Sequence, residues 1–346
     1  MRIVKQVVGI DVAQKELVVS LGKMHEDWTP QLYARKAFEN SKKGFVALVS
    51  WTKKLTTQDC PVRYVMEATG VYHEALAYFL EAADHEVTIV LPNKISNYFK
   101  TLKVKTITDK TAADTIATFG LEKKLELWKK PKPIFKRIRQ LTREREQLIQ
   151  IRTIAKNQLH AEQSEAEPGK KTLERLKKQI EFLKKQEKEI KEELQALQQT
   201  EEHVHKSIKL ISTVTGVGKL TAATVLAETN GFEQVRNKRQ LSSYAGYDVR
   251  EKQSGTSVKG KPRISKKGNK YLRKAMHMPA LTAIRHDDRF KAVYERLVAK
   301  HGIKMKAAVA VQRKLLELIY TIYKTQVPYD KNYLMKNGIQ ANIEID

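Results

Sequence analysis

Three carboxylates stand where short apolar runs stop or a helical segment begins. Asp11 closes Gly9-Ile10-Asp11, Glu67 closes Val65-Met66-Glu67, and Asp109 opens the helical stretch Thr108-Asp109-Lys110-Thr111. Carboxylates brought together repel one another unless a cation lies between them, so a convergent set is a natural site for Mg2+. Two such ions can activate an attacking oxygen and stabilise a leaving oxygen in phosphoryl transfer. Each of these residues taken singly is an ordinary cap or turn residue. They become a site only if the fold gathers them.

A second stretch, Arg236 to Lys274, carries thirteen Lys or Arg against two acidic residues, Asp248 and Glu251. Inside it lies Gln253-Ser254-Gly255-Thr256-Ser257, followed by Lys259, Lys261, Arg263, Lys266, Lys267, Lys270 and Arg273. Glycine beside serine lets the backbone approach a phosphate closely, and the cations would hold it. Ser254 is a candidate nucleophile where a base or metal eases its deprotonation, and otherwise a simple hydrogen-bonding partner for phosphate. Upstream, Gly216-Val217-Gly218-Lys219 separates two helical segments. Free amides at such a glycine turn can seat a DNA phosphate without reading bases, or the turn is a plain corner. Tyr244, Tyr247 and Tyr271 offer rings for stacking, although helix core suits Tyr244 and Tyr271 equally well. His203, His205, His277 and His286 show no ligand spacing.

The whole-chain balance points the same way. The 346 residues include 65 Lys and Arg against 39 Asp and Glu, a formal charge of +26. Such a field attracts polyanions, because neutralising phosphates releases condensed counterions. A basic housekeeping protein, such as a ribosome-associated factor, shares that property. No apolar run approaches the ~18 to 20 residues of a membrane span. The N-terminal run is broken by Lys5 and Gln6 and reads as a strand rather than a leader. Cys60, the only cysteine, leaves no disulfide and no cysteine-based zinc site. A cytoplasmic, nucleoid-associated protein is expected.

The elements that must position these residues follow from periodicity. Arg2 to Asp11, Glu16 to Gly22 and Tyr33 to Phe38 predict three strands, the first two joined as a hairpin. Ser41 caps a helix carrying Phe45, Leu48, Val49, Trp51 and Leu55; Val62 to Ala68 is a strand and His73 to Ala83 a helix. Glu86 to Leu91 is another strand, and Asn93 to Gly120 reads as largely helical. Three antiparallel strands followed by helix, strand, helix, strand, helix is the order of the α/β ribonuclease H-like fold. Beyond it, Leu173, Leu176, Ile180, Leu183, Ile190, Leu194 and Leu197 step by threes and fours, with Glu187 standing at one apolar position. An earlier helix carries Leu141, Leu148, Ile151, Ala155 and Leu159, and Pro168-Gly169 lies between the two, predicting an antiparallel helical hairpin. The expected organisation is a ribonuclease H-like domain at 1–130 and a coiled-coil arm at 131–206. A mostly α-helical domain at 207–330 and a tail at 331–346 complete it.

These segments together resemble a known family. GIDVAQKELVV, VMEATGVYHEAL, ITDKTAADTIATFG, TGVGKLTAATVLAE and LSSYAGYDVREKQSGTSVKGKPRISKKGNKYLRKAMHMPALTA are similar to insertion-sequence transposases. In that group a RuvC-like DEDD domain is paired with a C-terminal serine-bearing transposase domain; it includes the Piv-type invertases and the bridge-RNA-guided recombinases. The resemblance implies a prokaryotic DNA transposase or site-specific recombinase, with Asp11, Glu67 and Asp109 binding Mg2+. It also implies that Ser254 attacks DNA to give a phosphoserine intermediate, at a site composed from both domains. A non-coding guide RNA would select donor and target duplexes by base pairing, and the coiled coil would build a dimer or tetramer. One position departs: the family places a fourth acid three residues after the third, and here that residue is Ala112. Asp114, at spacing five, points elsewhere around the helix. The departure implies an inactivated form, natural or engineered. Two other functions remain open at this point, a RuvC-type junction nuclease using only the carboxylates and a non-catalytic nucleic-acid scaffold.

Overall fold

The computed structural model describes residues 2–68, 70–102, 106, 108–251, 253–254, 258–260 and 263–332, with the backbone alone at 253–254 and 258–259. The chain divides into two compact units, Met1–Lys130 and Pro131–Asp346.

The first unit is a five-stranded sheet in the order β3-β2-β1-β4-β5. Its strands are β1 (Ile3–Val12), β2 (Glu16–His25), β3 (Pro30–Glu39), β4 (Val62–Glu67) and β5 (Glu86–Val90). β1 pairs antiparallel with β2 and parallel with β4, which pairs parallel with β5. This mixed order is the ribonuclease H-like arrangement expected from the sequence.

Helices cover both faces, which is why β1 is apolar on both sides. Helices α1 (Lys42–Leu55) and α2 (Glu74–Ala82) pack on the face of Val8, Ile10, Tyr64 and Met66. Helices α3 (Pro92–Phe99) and α4 (Asp109–Glu122) pack on the opposite face, over Val7, Val65 and Val90. The Ser41 side chain caps α1 by accepting from the Gly44 amide. The single long helix expected over 93–120 is two helices. α3 stops at Phe99, and α4 starts anew where Thr108 and Thr111 bond reciprocally, each side chain to the other's amide.

The second unit opens with a helical hairpin, α5 (Pro133–Gln163) and α6 (Lys170–Gln199). Ile180, Leu183, Ile190 and Leu194 form its buried seam. Glu187 lies in that seam at 5% exposure, where its carboxylate meets Arg145 at 2.8 Å, Lys191 at 3.0 Å, and Arg152. Burial alone would raise the Glu187 pKa, but the Lys191 and Arg145 cations hold it below the ordinary value. The base of the hairpin, through Ile134, Phe135, Ile138 and Leu194, shares one core with the helices that follow.

Those helices are α7 (Glu202–Ile211), α8 (Lys219–Glu228), α9 (Lys238–Ala245), α10 (Lys270–His286), α11 (Asp288–His301) and α12 (Lys304–Thr325). Between α9 and α10 run two small ribbons, β6 (Val249–Arg250) with β9 (Arg263–Ile264), and β7 (Gln253–Ser254) with β8 (Val258–Lys259). Among the described residues, no helix is long and apolar enough to cross a membrane.

Candidate active site at the ends of the parallel strands

Strand parity and register place Asp11 and Glu67. Gly9 pairs with Val65 and Ile10 with Met66, so the next step sets Asp11 level with Glu67 at the carboxyl ends of adjacent parallel strands. Side chains alternate along a strand. Asp11 therefore shares the face of Val7 and Gly9, and Glu67 shares the face of Val65. That is the face covered by α4.

Helix α4 runs antiparallel to β1, so its first turn ends up at this same edge. At the far end Lys5 Nζ donates to the Leu121 carbonyl at 2.7 Å. Midway, Gly9 lies directly beneath the helix: a Cβ there would stand 2.3 Å from the Ala117 nitrogen and 2.6 Å from the Ala113 oxygen. Asp109 lies one helical turn before Ala113, and Asp11 two residues beyond Gly9, so both carboxylates point to the same end.

Asp11 registers the charges of the other two. Asp11 is half-buried and its pKa is raised, first by burial, then by the Asp109 and Glu67 carboxylates, against a lowering bond from the Val12 amide. Three hard oxygen donors in mutual repulsion have the chemistry of a Mg2+ ligand set. They are not closed on an ion-sized space: among the described residues no group of three or more His, Cys, Asp or Glu side chains is arranged to hold a metal.

Ala112 is half-buried three residues after Asp109, and Asp114 does not stand in for it. The Asp114 carboxylate accepts from Ser20 Oγ at 2.7 Å and takes a two-point ion pair from Arg35, with Nε and Nη2 each at 2.7 Å. It fastens α4 to β2 and β3. Sequence reasoning missed a neighbouring device. Asn40, just past β3, donates its side-chain amide to the Ala13 carbonyl at 2.9 Å and the Tyr72 carbonyl at 3.2 Å. It thereby ties together the loops that follow Asp11 and Glu67. A lone Asn after a strand carries no signal of such a bridge.

The nucleic-acid candidates of the second unit separate by environment. Gly216 has φ +86, and a Cβ there would meet the Pro279 oxygen at 2.5 Å, so packing requires it. Gly218, which precedes α8, has nothing within 4 Å of an added Cβ, and neither packing nor dihedral demands a glycine. Lys219, Arg263, Lys266, Lys267 and Lys270 are exposed. Arg273 is half-buried and donates to the Ala245 carbonyl at 2.6 Å. Tyr247 is core, donating to Gln312 at 3.1 Å, and Tyr244 donates to the Glu228 carbonyl at 2.9 Å. The Tyr271 ring carries the Arg143 guanidinium 4.4 Å from its centre. Ser254 pairs with Val258 across the β7–β8 ribbon; its side chain, that of Lys259, and the whole of Lys261 lie outside the described residues.

The chain is similar to several known proteins. A family model described as "Transposase" matches residues 8–164, and one described as "Transposase IS116/IS110/IS902 family" matches residues 208–295. The pilin gene-inverting protein of Moraxella bovis is 28% identical over 94% of this chain and 98% of its own. The transposase for insertion sequence element IS1111A of Coxiella burnetii is 29% identical over 40% of this chain and 37% of its own. Among solved structures, T. thermophilus RuvC in complex with a Holliday junction substrate matches at 10% identity with a TM-score of 0.28, over 36% of this chain and 99% of that one. With transposase models matching both units and an invertase aligned along nearly its whole length, the chain belongs to the IS110-type transposase and recombinase family of DNA-processing enzymes.

Proposed function

We propose that this protein is built to exchange DNA strands for an insertion sequence, with Mg2+ held by Asp11, Glu67 and Asp109 and Ser254 as nucleophile, and that Ala112 inactivates this copy. The observation that carries the proposal is the level placement of Asp11 and Glu67 at the edge where α4 begins with Asp109. Bound there, Mg2+ would supply the positive charge that eases deprotonation of an attacking oxygen and neutralises a leaving one. Lys259, Lys261, Arg263, Lys266, Lys267 and Lys270 hold the backbone of the duplex, and the Gly218 turn with Lys219 seats a further phosphate. Ser254 Oγ forms a bond to phosphorus as a strand P–O bond breaks, its proton passing to the leaving oxygen. The cut end stays attached as a phosphoserine ester, and the reverse step rejoins it to another strand with no external energy source.

Cations that grip backbone do not choose a sequence, so a guide RNA selects donor and target by base pairing. The helical hairpin assembles a dimer or tetramer; its exposed Ile151, Ile154 and Phe182 support that role. With Ala112 in the fourth acidic place, this copy lacks Mg2+-dependent cleavage.

The test is the Ala112→Asp variant, incubated with DNA, Mg2+ and co-purified RNA and assayed for a covalent adduct. The expected result is a protein–DNA adduct that vanishes on adding Ser254→Ala. Full activity with Ala112 in place would overturn the site. Free 5′-phosphate ends with indifference to Ser254→Ala would replace the reading with hydrolysis.

A further inference from the structure

We infer that the cleft between α11 and α12 binds the phosphates of a single nucleic-acid strand. This rests on the nucleic-acid reading above and extends it beyond the Arg236–Lys274 stretch. The cleft encloses about 380 Å3 and is lined by Arg296 and Lys300 from α11 and by Arg313, Lys314 and Glu317 from α12. Four cations therefore face one carboxylate. That carboxylate is already engaged, by Arg313 Nε at 2.8 Å and by Ser242 Oγ at 2.7 Å. Among the described residues, Arg296, Lys300 and Lys314 form no ion pair.

Crowded like charges cost free energy unless an anion joins them, as crowded carboxylates do without a cation. Lys314 carries that cost as the lesser part of a shift led by burial. Burial pushes its ammonium below the ordinary value, Glu317 opposes the shift, and Arg296 and Arg313 add to it. In a protein of this charge, the anion that fits is a phosphodiester.

A second cavity, of about 510 Å3, adjoins the cleft and shares Ala310 and Arg313 with it. Its lining includes the apolar Val249, Ile303 and Met305, all well exposed, and the cationic Arg263, Lys266 and Lys306. Apolar lining beside cationic cleft matches a strand whose bases are uncovered, since bases lie flat on apolar groups while phosphates meet cations. A duplex stacks its bases inside and has nothing to offer that lining. The two cavities thus form one track that starts at Arg263 and Lys266 and ends between α11 and α12.

The test is fluorescence anisotropy on the full chain in EDTA, so that the carboxylate site takes no part. The probes are labelled oligo(dT) and oligo(U) of about 12 nucleotides and a duplex of similar length. In the Arg296→Glu/Lys300→Glu variant, single-strand affinity is expected to fall about tenfold or more. Its log–log salt slope should shrink by about 0.7 for each phosphate no longer neutralised, with duplex affinity changed less than about twofold. Lys314→Gln should weaken single-strand binding and Lys314→Arg restore it, at unchanged Tm. A fall confined to oligo(U) assigns the track to RNA, one confined to oligo(dT) to a displaced DNA strand, and a fall in both to the shared backbone. Unchanged single-strand affinity and slope, or an equal fall for the duplex, would overturn the inference. Because cleavage is read separately, in Mg2+ with Ala112→Asp, failure here leaves the catalytic proposal to its own test.

Discussion

Gly9 lies so close beneath Ala117 that a single added methyl group would stand 2.3 Å from the Ala117 amide nitrogen. That contact sets how deeply α4 sits on β1, and through it where Asp109 arrives relative to Asp11. Gly9→Ala must therefore lift the helix or bend the strand. We expect a destabilisation of the first unit by about 3 kcal/mol, read by thermal unfolding. In an Ala112→Asp background, divalent-ion affinity should fall by more than the unfolding accounts for. A variant with wild-type stability and ion affinity would mean that α4 is not held by this contact.

Asp114 and position 112 should behave as opposites. Asp114→Asn removes the two-point pair with Arg35, which is largely exposed, so the expected cost is about 1–2 kcal/mol after solvent screening. In an Ala112→Asp background it should leave the Mg2+ concentration for half-maximal cleavage unchanged. A large shift in that midpoint would make Asp114 a ligand after all.

The hairpin should carry an acid-sensitive step at Glu187. Its folded-state pKa lies below the unfolded value of about 4.5, so the stability it contributes is present above that pH and is lost as the pH falls through the depressed value. Glu187→Gln should flatten that acid limb in a pH series of melting curves. It should also destabilise the arm by about 3 kcal/mol near neutrality, because Arg145 and Arg152 lose their buried partner. An unchanged acid limb in this variant would show that other groups dominate.

The two glycines of the α7–α8 turn should part company. Gly216→Ala forces a side chain into a left-handed φ and against the Pro279 carbonyl, and should cost about 2 kcal/mol or more. Gly218→Ala meets open space and should melt normally, yet weaken DNA binding if its amide seats a phosphate. Normal melting together with normal DNA affinity for Gly218→Ala would reduce the turn to a corner.

The part of the site that rests on strand periodicity was legible in the sequence. Apolar runs end at Asp11 and Glu67 on strands that a ribonuclease H-like order makes neighbours, so the two were expected side by side; the β1–β4 register adds that they share a face. The break between α3 and α4 was not legible. The signal was a reciprocal Thr108–Thr111 box, which lacks the Glu or Gln that usually marks such a start. The partners of Asp114 were equally hidden, because Ser20 and Arg35 lie 94 and 79 residues away along the chain. Glu187 was visible as an interruption of the seam. Its meaning required Arg145 and Arg152 from the facing helix, 42 and 35 residues away.

That buried carboxylate also limits how the arm can change length. A seam made only of Leu and Ile tolerates slippage by a heptad, since every repeat looks alike to its neighbour. The Glu187 cluster breaks the equivalence and pins one level of the hairpin, so growth or shrinkage is confined to the stretch between that level and the Pro168–Gly169 tip. Matched seven-residue insertions in both helices beyond it lengthen the arm like a ruler and leave the base untouched. An insertion in one helix alone sets the pinned level against the rest of the seam.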